Sequence, residues 1–314
     1  MLLATTSRSQ ACAYCSQSLG GLDAGSPILT MSPDTLAHKK FALGYTLQFM
    51  DVHQFDSSDY RTLNRQGKHA HSYDSMLINT VNVVYGVSDK FNLIASYPYN
   101  SKYNLKYTYD GQTYNDLDSI GMGDMTLLAK YRFLNSTEKN YSAAVMAGLR
   151  MPTGQTNERG ADGVKLAPDE QPGSGSWDPI MGILLGKKIG KISLDLNGIY
   201  KLSTPGTNDV IIGDIVSYNF AVSGVVGSRE IWKQRLTLGW SMEMNGVWHE
   251  DVEDNGVKEN AHGGNTIMLT PGLRLGINVH VITSLAVGIP VIETLNGKQA
   301  ETNALVFFSM NYVF

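Results

Sequence analysis

A chain of 314 residues with 42% hydrophobic and 17% charged residues, a net charge of −4 and a mean hydropathy of −0.15 has the composition of an ordinary soluble protein. The mild acidity, without a basic stripe and interleaved aromatic residues, argues against nucleic-acid binding. No segment reaches the roughly 20 apolar residues of a membrane-spanning helix. The 32 Gly residues and the excess of Tyr (16) over Phe (9) nevertheless suit short strands, tight turns and interfacial aromatic rings.

The first 39 residues show no strand alternation and contain several Gly and Pro residues. We predict that they form an irregular periplasmic arm or a partial plug of the lumen. A secretory signal has a basic start and an apolar run of about 7–15 residues, and the Met1–Ala4 segment is too short for one. We therefore expect a residual signal peptide, truncated or begun at a late start, with cleavage after Ala11 as one alternative.

Two cysteines, Cys12 and Cys15, form a C-x-x-C pair in this arm. Ser16 replaces the His that c-type haem attachment requires, and no βαβ pattern surrounds the pair to indicate a thioredoxin-like site. Because the chain has no other cysteine, a zinc site would need further ligands. A local disulfide in an oxidising periplasm is the favoured interpretation. Metal or redox partnering and lipidation of Cys12 remain alternatives, and we expect no cofactor.

From residue 40 onward the sequence alternates between two kinds of face. Around Asp195, for example, Leu194 and Leu196 lie on one face, while Ser193 and Asp195 lie on the other. The uniform face is apolar and aromatic, and charges occur on the mixed face. Since a charge on a lipid face near mid-membrane costs about 2–4 kcal/mol, this pattern indicates a barrel in lipid. We predict an all-β protein: a transmembrane antiparallel β-barrel of about twelve strands over residues 40–314.

The predicted strands are joined alternately by short turns and long polar loops. The strands lie near 40–54, 74–87, 90–102, 122–134, 140–151, 177–188, 190–203, 214–227, 232–248, 265–278, 281–292 and 302–314. The long connections are 55–73, 103–121, 152–176, 249–264 and 293–301, with 204–213 of intermediate length. Outer-membrane barrels have short periplasmic turns and longer external loops. This phase predicts periplasmic N- and C-termini, and the 152–176 loop is the candidate gate.

The mixed face supplies the candidate lumen-lining charges. These are Asp124, Lys130, Arg132, Arg150, Asp195, Lys201, Arg235, Glu243 and Arg274. Cations exceed anions in this set, which favours a mild preference for anions in a narrow passage; the alternative is that these groups form ion pairs across adjacent strands and fill the lumen. Candidate interfacial rings on the apolar face are Tyr45, Tyr85, Tyr97, Tyr131, Tyr141, Trp240, Trp248 and Tyr312.

The last strand, from Ala304 to Phe314, ends on an aromatic residue. Met310, Tyr312 and Phe314 share one face, and Ser309 lies on the other. Such an ending is similar to the carboxy-terminal signal that barrel-assembly machinery reads in outer-membrane proteins. The alternative is a soluble β-domain that happens to end in Phe.

Chemistry in the loops is sparse. His69 and His71, at a spacing of two on an extended segment, point the same way and form a weak candidate metal pair, against the alternative of solvated loop residues. The acidic loop 249–262 would attract Ca²⁺ or cations that bridge lipopolysaccharide, or is simply solvated. The chain has no GxSxG, HExxH or phosphate-binding motif, and no His-x-Ser pairing of outer-membrane lipid hydrolases. We therefore expect a protein that is not an enzyme.

Several short motifs in order carry a resemblance to a known family. They are Gly123–Met125, Lys130–Phe133, Gly148–Gly154, Gly173–Asp178 and Leu269–Arg274. Together they resemble a family of outer-membrane transporters associated with phenol degradation by meta-cleavage, over residues 40–314. The resemblance implies passage of small molecules, aromatic ones among them, and no catalytic residues.

The predicted function is passive passage of a small solute, such as a hydrophobic or aromatic compound, through a Gram-negative outer membrane. Barrels of about eight strands are filled and those of 16–18 strands are open channels, so twelve strands predict a narrow or loop-gated pore. Expected partners are membrane lipid, lipopolysaccharide, the barrel-assembly machinery and the solute. The alternative function is a non-conducting binding or scaffold barrel whose N-terminal arm holds a periplasmic or metal/redox partner.

Overall fold

The computed structural model describes residues 23–65, 71–109, 112–160, 163–259, 262–297 and 299–314. Cys12, Cys15 and His69, on which predictions were made, lie outside the described residues. Its elements are β1 (Phe41–His53), α1 (Ser57–Arg65), β2 (His71–Ser72), β3 (Ser75–Ser88), β4 (Phe91–Tyr109), β5 (Gln112–Met122), β6 (Thr126–Ser136), β7 (Tyr141–Arg150), β8 (Asp178–Ile189), β9 (Ile192–Lys201), a 3₁₀ turn (Thr207–Asp209), β10 (Ile215–Ile231), β11 (Gln234–His249), β12 (Val252–Asp254), β13 (Val257–Glu259), β14 (Gly264–Ile277), β15 (Val281–Leu295) and β16 (Glu301–Val313).

Twelve of these strands form one closed antiparallel barrel. In order around the barrel they are β1, β3, β4, β6, β7, β8, β9, β10, β11, β14, β15 and β16, and β16 pairs back onto β1. Closure pairs the edge amides, which in lipid would each cost several kcal/mol if left unpaired. The predicted barrel is confirmed. In the described part of the chain, no helix is long and apolar enough to cross a membrane.

The seam between the first and last strands is held by an aromatic contact. Ala42 pairs with Val313 in the β1–β16 register. The Phe314 backbone N–H donates to the Phe41 carbonyl at 2.9 Å, and the Phe41 and Phe314 rings stack with centroids 4.1 Å apart. Tyr312 packs edge-on against Phe314. The terminal residue therefore fixes the strand pair that closes the barrel.

Alternation separates the outer and inner surfaces as the sequence predicted. On β9, Leu196 is 48% exposed whereas Asp195 is 3% exposed. The predicted interfacial rings all lie on the outer face, where seven are exposed and Trp240 is half-buried. The outer surface is thus a continuous apolar and aromatic belt.

Short connections gather at the end where β1 begins and β16 ends, which we call the short-turn end. They join β3 to β4, β6 to β7, β8 to β9, β10 to β11 and β14 to β15. The opposite end, which we call the long-loop end, contains α1, the β4–β5 extension and the β12–β13 hairpin.

The prediction of a polar loop at 103–121 was wrong. The chain continues as β4 to Tyr109 and returns as β5, so this stretch is a hairpin that extends the barrel wall. Tyr107 stacks on Tyr114 across the hairpin, with ring centroids 5.0 Å apart. Cross-strand aromatic pairs stabilise a sheet, and here they outweigh the polar residues that suggested a loop.

The inside of the barrel is occupied by the chain segment that precedes β1. Residues 23–40, which we call the arm, begin near the short-turn end beside Gly239 and Gly276, reach Glu243 deeper in the lumen, and return to the short-turn end at Gly86. Ile28 belongs to a buried apolar cluster with Phe307 of the wall, and Met31 to a second one with Leu184. The lumen thus has an apolar filling as well as polar contacts.

Candidate functional site

The buried carboxylate of Glu243 binds the main chain of the arm. Its oxygens accept hydrogen bonds from the backbone N–H groups of Ile28 (2.5 Å), Leu29 (3.1 Å) and Thr30 (2.6 Å). Glu243 is on β11 and has no exposed surface. A buried charge is tolerated only when it is well hydrogen-bonded, and three consecutive amides satisfy that need.

Arg274, on β14, binds the arm through carbonyl groups. Its guanidinium donates to the carbonyl oxygens of Asp23 (2.8 Å) and Pro27 (2.7 Å). Burial disfavours a charge, and this cation is stabilised because its donors meet fixed acceptors. The wall therefore holds one stretch of arm by its N–H groups and another by its carbonyls.

The same mode of binding continues toward the short-turn end. The Lys130 ammonium donates to the carbonyls of Ser32 (3.1 Å) and Asp34 (2.5 Å). The Asn197 amide donates to the Met31 carbonyl at 3.0 Å. These contacts use backbone atoms of the arm, so the wall recognises an extended peptide more than a particular side-chain sequence.

Asp124 ties both ends of the longest loop, residues 151–177, to the wall. Its carboxylate accepts hydrogen bonds from the N–H of Gly154 (3.0 Å) and from the N–H (2.8 Å) and hydroxyl (2.6 Å) of Ser174. A Cβ on Gly173 would lie 2.7 Å from the Gly154 backbone. The two Gly-containing motifs therefore do more than end one strand and start another: they bring the loop ends together at Asp124.

Arg150, at the end of β7, contacts both Asp124 and Asp178, the first residue of β8. Its Nε donates to Asp178 at 2.7 Å and lies 4.0 Å from Asp124. Of the predicted lumen charges, Arg150 and Asp124 thus lie within ion-pair distance of each other, as the alternative of paired charges expects.

The middle of the 151–177 loop, which we call the folded loop, packs against the extension of the wall formed by β2, β4 and β5. His71 lies between Asp169 (3.1 Å) and Glu170 (3.4 Å), and all three are buried. Lys102 donates to the Asp169 carbonyl at 2.5 Å and Ser119 to the Glu170 carbonyl at 2.7 Å. Burial raises the pKa of the Glu170 carboxyl, with His71 acting in the opposite direction.

The metal pair His69 and His71 stays a prediction, because His69 lies outside the described residues. Among the described residues, no group of three or more His, Cys, Asp or Glu side chains is arranged to hold a metal ion. The two acidic neighbours of His71 belong to the folded loop, which gives this histidine a role in loop docking.

A cavity of about 80 Å³ lies between the wall and the folded loop. Its charged lining residues are Lys102, Asp124, Arg150, Asp169 and Lys201, and its apolar ones are Met76, Pro98, Pro168, Pro172 and Ile212. The hydroxyl of Thr80, which is 1% exposed, also lines it and has no hydrogen-bond partner among the described residues. The cavity is thus an amphipathic chamber.

The remaining predicted lumen residues divide into inner and rim positions. Asp195 is buried and accepts from the Ser193 hydroxyl at 2.7 Å, and Lys201 is buried at the cavity. Arg132 is half-buried and donates to the Asp89 carbonyl at 2.8 Å, near the short-turn end. Arg235 departs from the prediction: it is exposed beside the β10–β11 turn, because β11 extends past the rim, where the inward phase no longer faces the lumen.

Sequence reasoning missed the arm contacts. The polar partners of the wall are backbone groups, which leave no residue-type signature. One signal was present: on β11, Glu243 faces Thr270 and Ala221 across its neighbouring strands, so no cation lies directly opposite.

Comparisons with known proteins agree with this architecture. A solved outer-membrane channel from Pseudomonas putida F1, of the COG4313 group, superposes with a TM-score of 0.57 at 15% identity, covering 90% of this chain and 97% of that one. The KdgM porin (TM-score 0.41, 9% identity, 87% and 99% coverage) and LpxR from Salmonella typhimurium (0.43, 9%, 87% and 100%) superpose too loosely to carry an argument. No curated protein matches the chain.

The family model described as "Putative MetA-pathway of phenol degradation" matches residues 75–283. These residues run from the start of β3 into β15 and include most of the wall, the folded loop and the cavity. The chain is an outer-membrane β-barrel and belongs to this family.

Proposed function

We propose that the protein is an outer-membrane channel for passive passage of small solutes, closed by its own arm. The observation that carries the proposal is the way Glu243, Arg274 and Lys130 are satisfied by backbone groups of a segment that is not part of the wall. Withdrawal of the arm would leave a polar lumen lined by these groups. The fold and the family support a transport role over an enzymatic one.

The orientation follows from the loop lengths. Short turns at one end and long loops at the other match the periplasmic and external sides of outer-membrane barrels. We therefore place the short-turn end, with both ends of the barrel, in the periplasm. The long-loop end then meets lipopolysaccharide.

The residues that line the cavity indicate which chemical class of solute it would bind. Its Pro, Met and Ile side chains offer apolar contact, and the Thr80 hydroxyl has no partner among the described residues. Three cations (Lys102, Arg150 and Lys201) against two carboxylates (Asp124 and Asp169) leave a small positive excess in the lining. Pockets of this kind bind the body of a ligand by apolar contact and orient it with a few polar groups. A small hydrophobic or aromatic compound with one polar or anionic group fits this lining.

Planar-bilayer recordings test the channel directly. We expect low or rare conductance from the full chain and frequent openings after deletion of residues 1–36, a change that keeps β1 and the Lys39 contact to Gly86. A control variant with Ala substituted at exposed Ser58 of α1 should behave as the full chain. An absence of conductance from both the full and the shortened chain would contradict the proposal.

The second candidate function is a non-conducting scaffold barrel whose arm, through Cys12 and Cys15, holds a periplasmic or metal/redox partner. The observation in its favour is that arm residues 26–33 are all buried. Binding of a periplasmic extract component that requires both cysteines, with no conductance in any variant, would support it.

A further inference from the structure

Charged side chains are unevenly distributed between the two ends of the barrel. Among the described residues of the short-turn end, ten Lys and Arg side chains are exposed against four Asp and Glu. They lie in 37–41, 87–91, 134–141, 186–192 and 226–236, with Asp23 of the arm as the fourth acid. Among the described residues of the long-loop end this excess is absent: Arg61, Arg159, Lys165 and Lys258 are exposed against Asp51, Asp56, Asp118, Asp209 and Glu301. The net charge of −4 therefore conceals a strongly basic end.

Two of these cations lie on the outward, lipid-facing rows of the wall. On β8 the exposed Ile183 and Leu185 mark that row, and Lys187 continues it. Lys187 is paired in register with Tyr141 on β7. On β10, Arg229 is paired with Leu236, which shares the outward row of β11 with exposed Leu238. Lys187 therefore emerges at the border of the apolar belt, and Arg229 lies on the outward side of the β10–β11 hairpin, which extends past the end of β9.

An unusual turn places an aromatic ring at the tip of the β10–β11 hairpin, beyond Arg229. Trp232 and Lys233 form the β10–β11 turn, both with positive φ (49° and 62°), and Trp232 is 94% exposed. Bulky residues are uncommon in this backbone region, which Gly or Asn would occupy more easily. Trp together with basic residues is typical of a membrane–water interface.

We propose that Lys187, Lys191, Arg229 and Lys233 form a collar that binds the headgroups of anionic phospholipids, with Trp232 beside Lys233 in the β10–β11 turn. Ammonium and guanidinium groups form charge-assisted hydrogen bonds with phosphate oxygens, and their aliphatic stems lie along the apolar belt. The outward position of Lys187 and Arg229 favours a lipid headgroup over a soluble acidic protein. The choice of phospholipid rests on the proposed orientation, which turns this end to the periplasmic leaflet.

Two native tryptophans provide reporters for a test. Trp240 and Trp248 both lie on the outward face of β11, Trp240 nearer the collar and Trp248 at the long-loop end. Two proteins, each keeping one of them as the single Trp and carrying Phe at the others, are reconstituted in phosphatidylcholine vesicles. Increasing fractions of brominated phosphatidylglycerol, or of brominated phosphatidylcholine, then quench the fluorescence in proportion to local lipid occupancy.

If the collar binds anionic headgroups, brominated phosphatidylglycerol should quench Trp240 more strongly than brominated phosphatidylcholine does. The two lipids should quench Trp248 equally. Lys187→Gln with Arg229→Gln should lower that preference by up to about fivefold per cation, and high salt should weaken it. The matched control, Lys165→Gln with Arg61→Gln at exposed positions of the other end, should leave it unchanged.

Equal preference at the two tryptophans, or an equal loss in the control variant, would overturn the collar. Stronger quenching at Trp240 by brominated lipid A than by phosphatidylglycerol would overturn the choice of phospholipid and place this end in the outer leaflet. Because no step needs an open pore, a protein that shows the preference without conducting would refute the channel and keep the collar.

Discussion

The carboxylate of Glu243 on β11 accepts a hydrogen bond from the backbone N–H of Ile28 at 2.5 Å, across 215 positions of the chain. This contact joins the arm to the wall at a site with no exposed surface on Glu243. Because two further amides share the same carboxylate, the arm cannot shift along the wall without leaving several buried polar groups unpaired.

Replacement of Glu243 by Gln should release the arm. The new NH₂ group would face backbone N–H donors, and losing hydrogen bonds to a charged acceptor costs about 2 kcal/mol, which corresponds to a roughly 30-fold increase in the open population. Single-channel open probability measures this change. Glu301→Gln, at an exposed position of the long-loop end, is the control, and equal open probability in both variants would refute the role of Glu243 as the arm's holder.

Asp124→Asn should loosen the 151–177 loop without opening the barrel. The asparagine keeps one acceptor oxygen but loses the charge that binds Gly154, Ser174 and the Arg150 side chain. We expect hydrogen exchange at the amides of Gly154 and Ser174 to accelerate by about 5- to 150-fold, as a loss of about 1–3 kcal/mol implies. Asp209→Asn, exposed in a neighbouring loop, should leave those amides unchanged; unaltered exchange in Asp124→Asn would exclude it as the anchor.

Docking of the same loop should weaken as pH rises. Burial raises the pKa of Glu170 above its ordinary value of 4.5, so the folded loop holds this proton more tightly than the unfolded loop. The resulting stabilisation is complete below about 4.5 and is lost as pH rises through the higher folded-state pKa. The groups around it are His71, Asp169 and Lys102.

Hydrogen exchange of the loop between pH 4 and 8 measures this dependence. Glu170→Gln should flatten the pH profile, while Glu158→Gln in the same loop should retain it. A Glu170→Gln profile as steep as that of the unmodified protein would assign the pH dependence to another group.

The pore without residues 1–36 should prefer anions. Withdrawal of the arm frees Lys130 and Arg274 from carbonyl groups, and narrow low-dielectric passages focus such charges. Reversal potentials in a salt gradient measure the preference, which Lys130→Met with Arg274→Met should reduce. Cation preference that persists in both pores would mean that the acidic long-loop end controls permeation.

The barrel was predictable because lipid outside and polar groups inside impose a period of two on every strand. Asp195 and its leucine neighbours show this in a few residues. The β4–β5 hairpin was not predictable in the same way, because contacts such as Tyr107 with Tyr114 depend on the fold of the returning chain. Likewise Gly154 and Gly173 are 19 positions apart, and only the structure shows their backbones in contact at Asp124.

The arm contacts also imply an order of events during biogenesis. Asp23 precedes β1, yet its carbonyl is bound by Arg274, 251 positions later. Contacts this distant in sequence form late, because long loops must close first. We therefore expect the arm to remain unbound until β11 and β14 have joined the sheet. We expect its entry into the barrel to follow formation of the sheet, so that the lumen is filled after the strands have been paired.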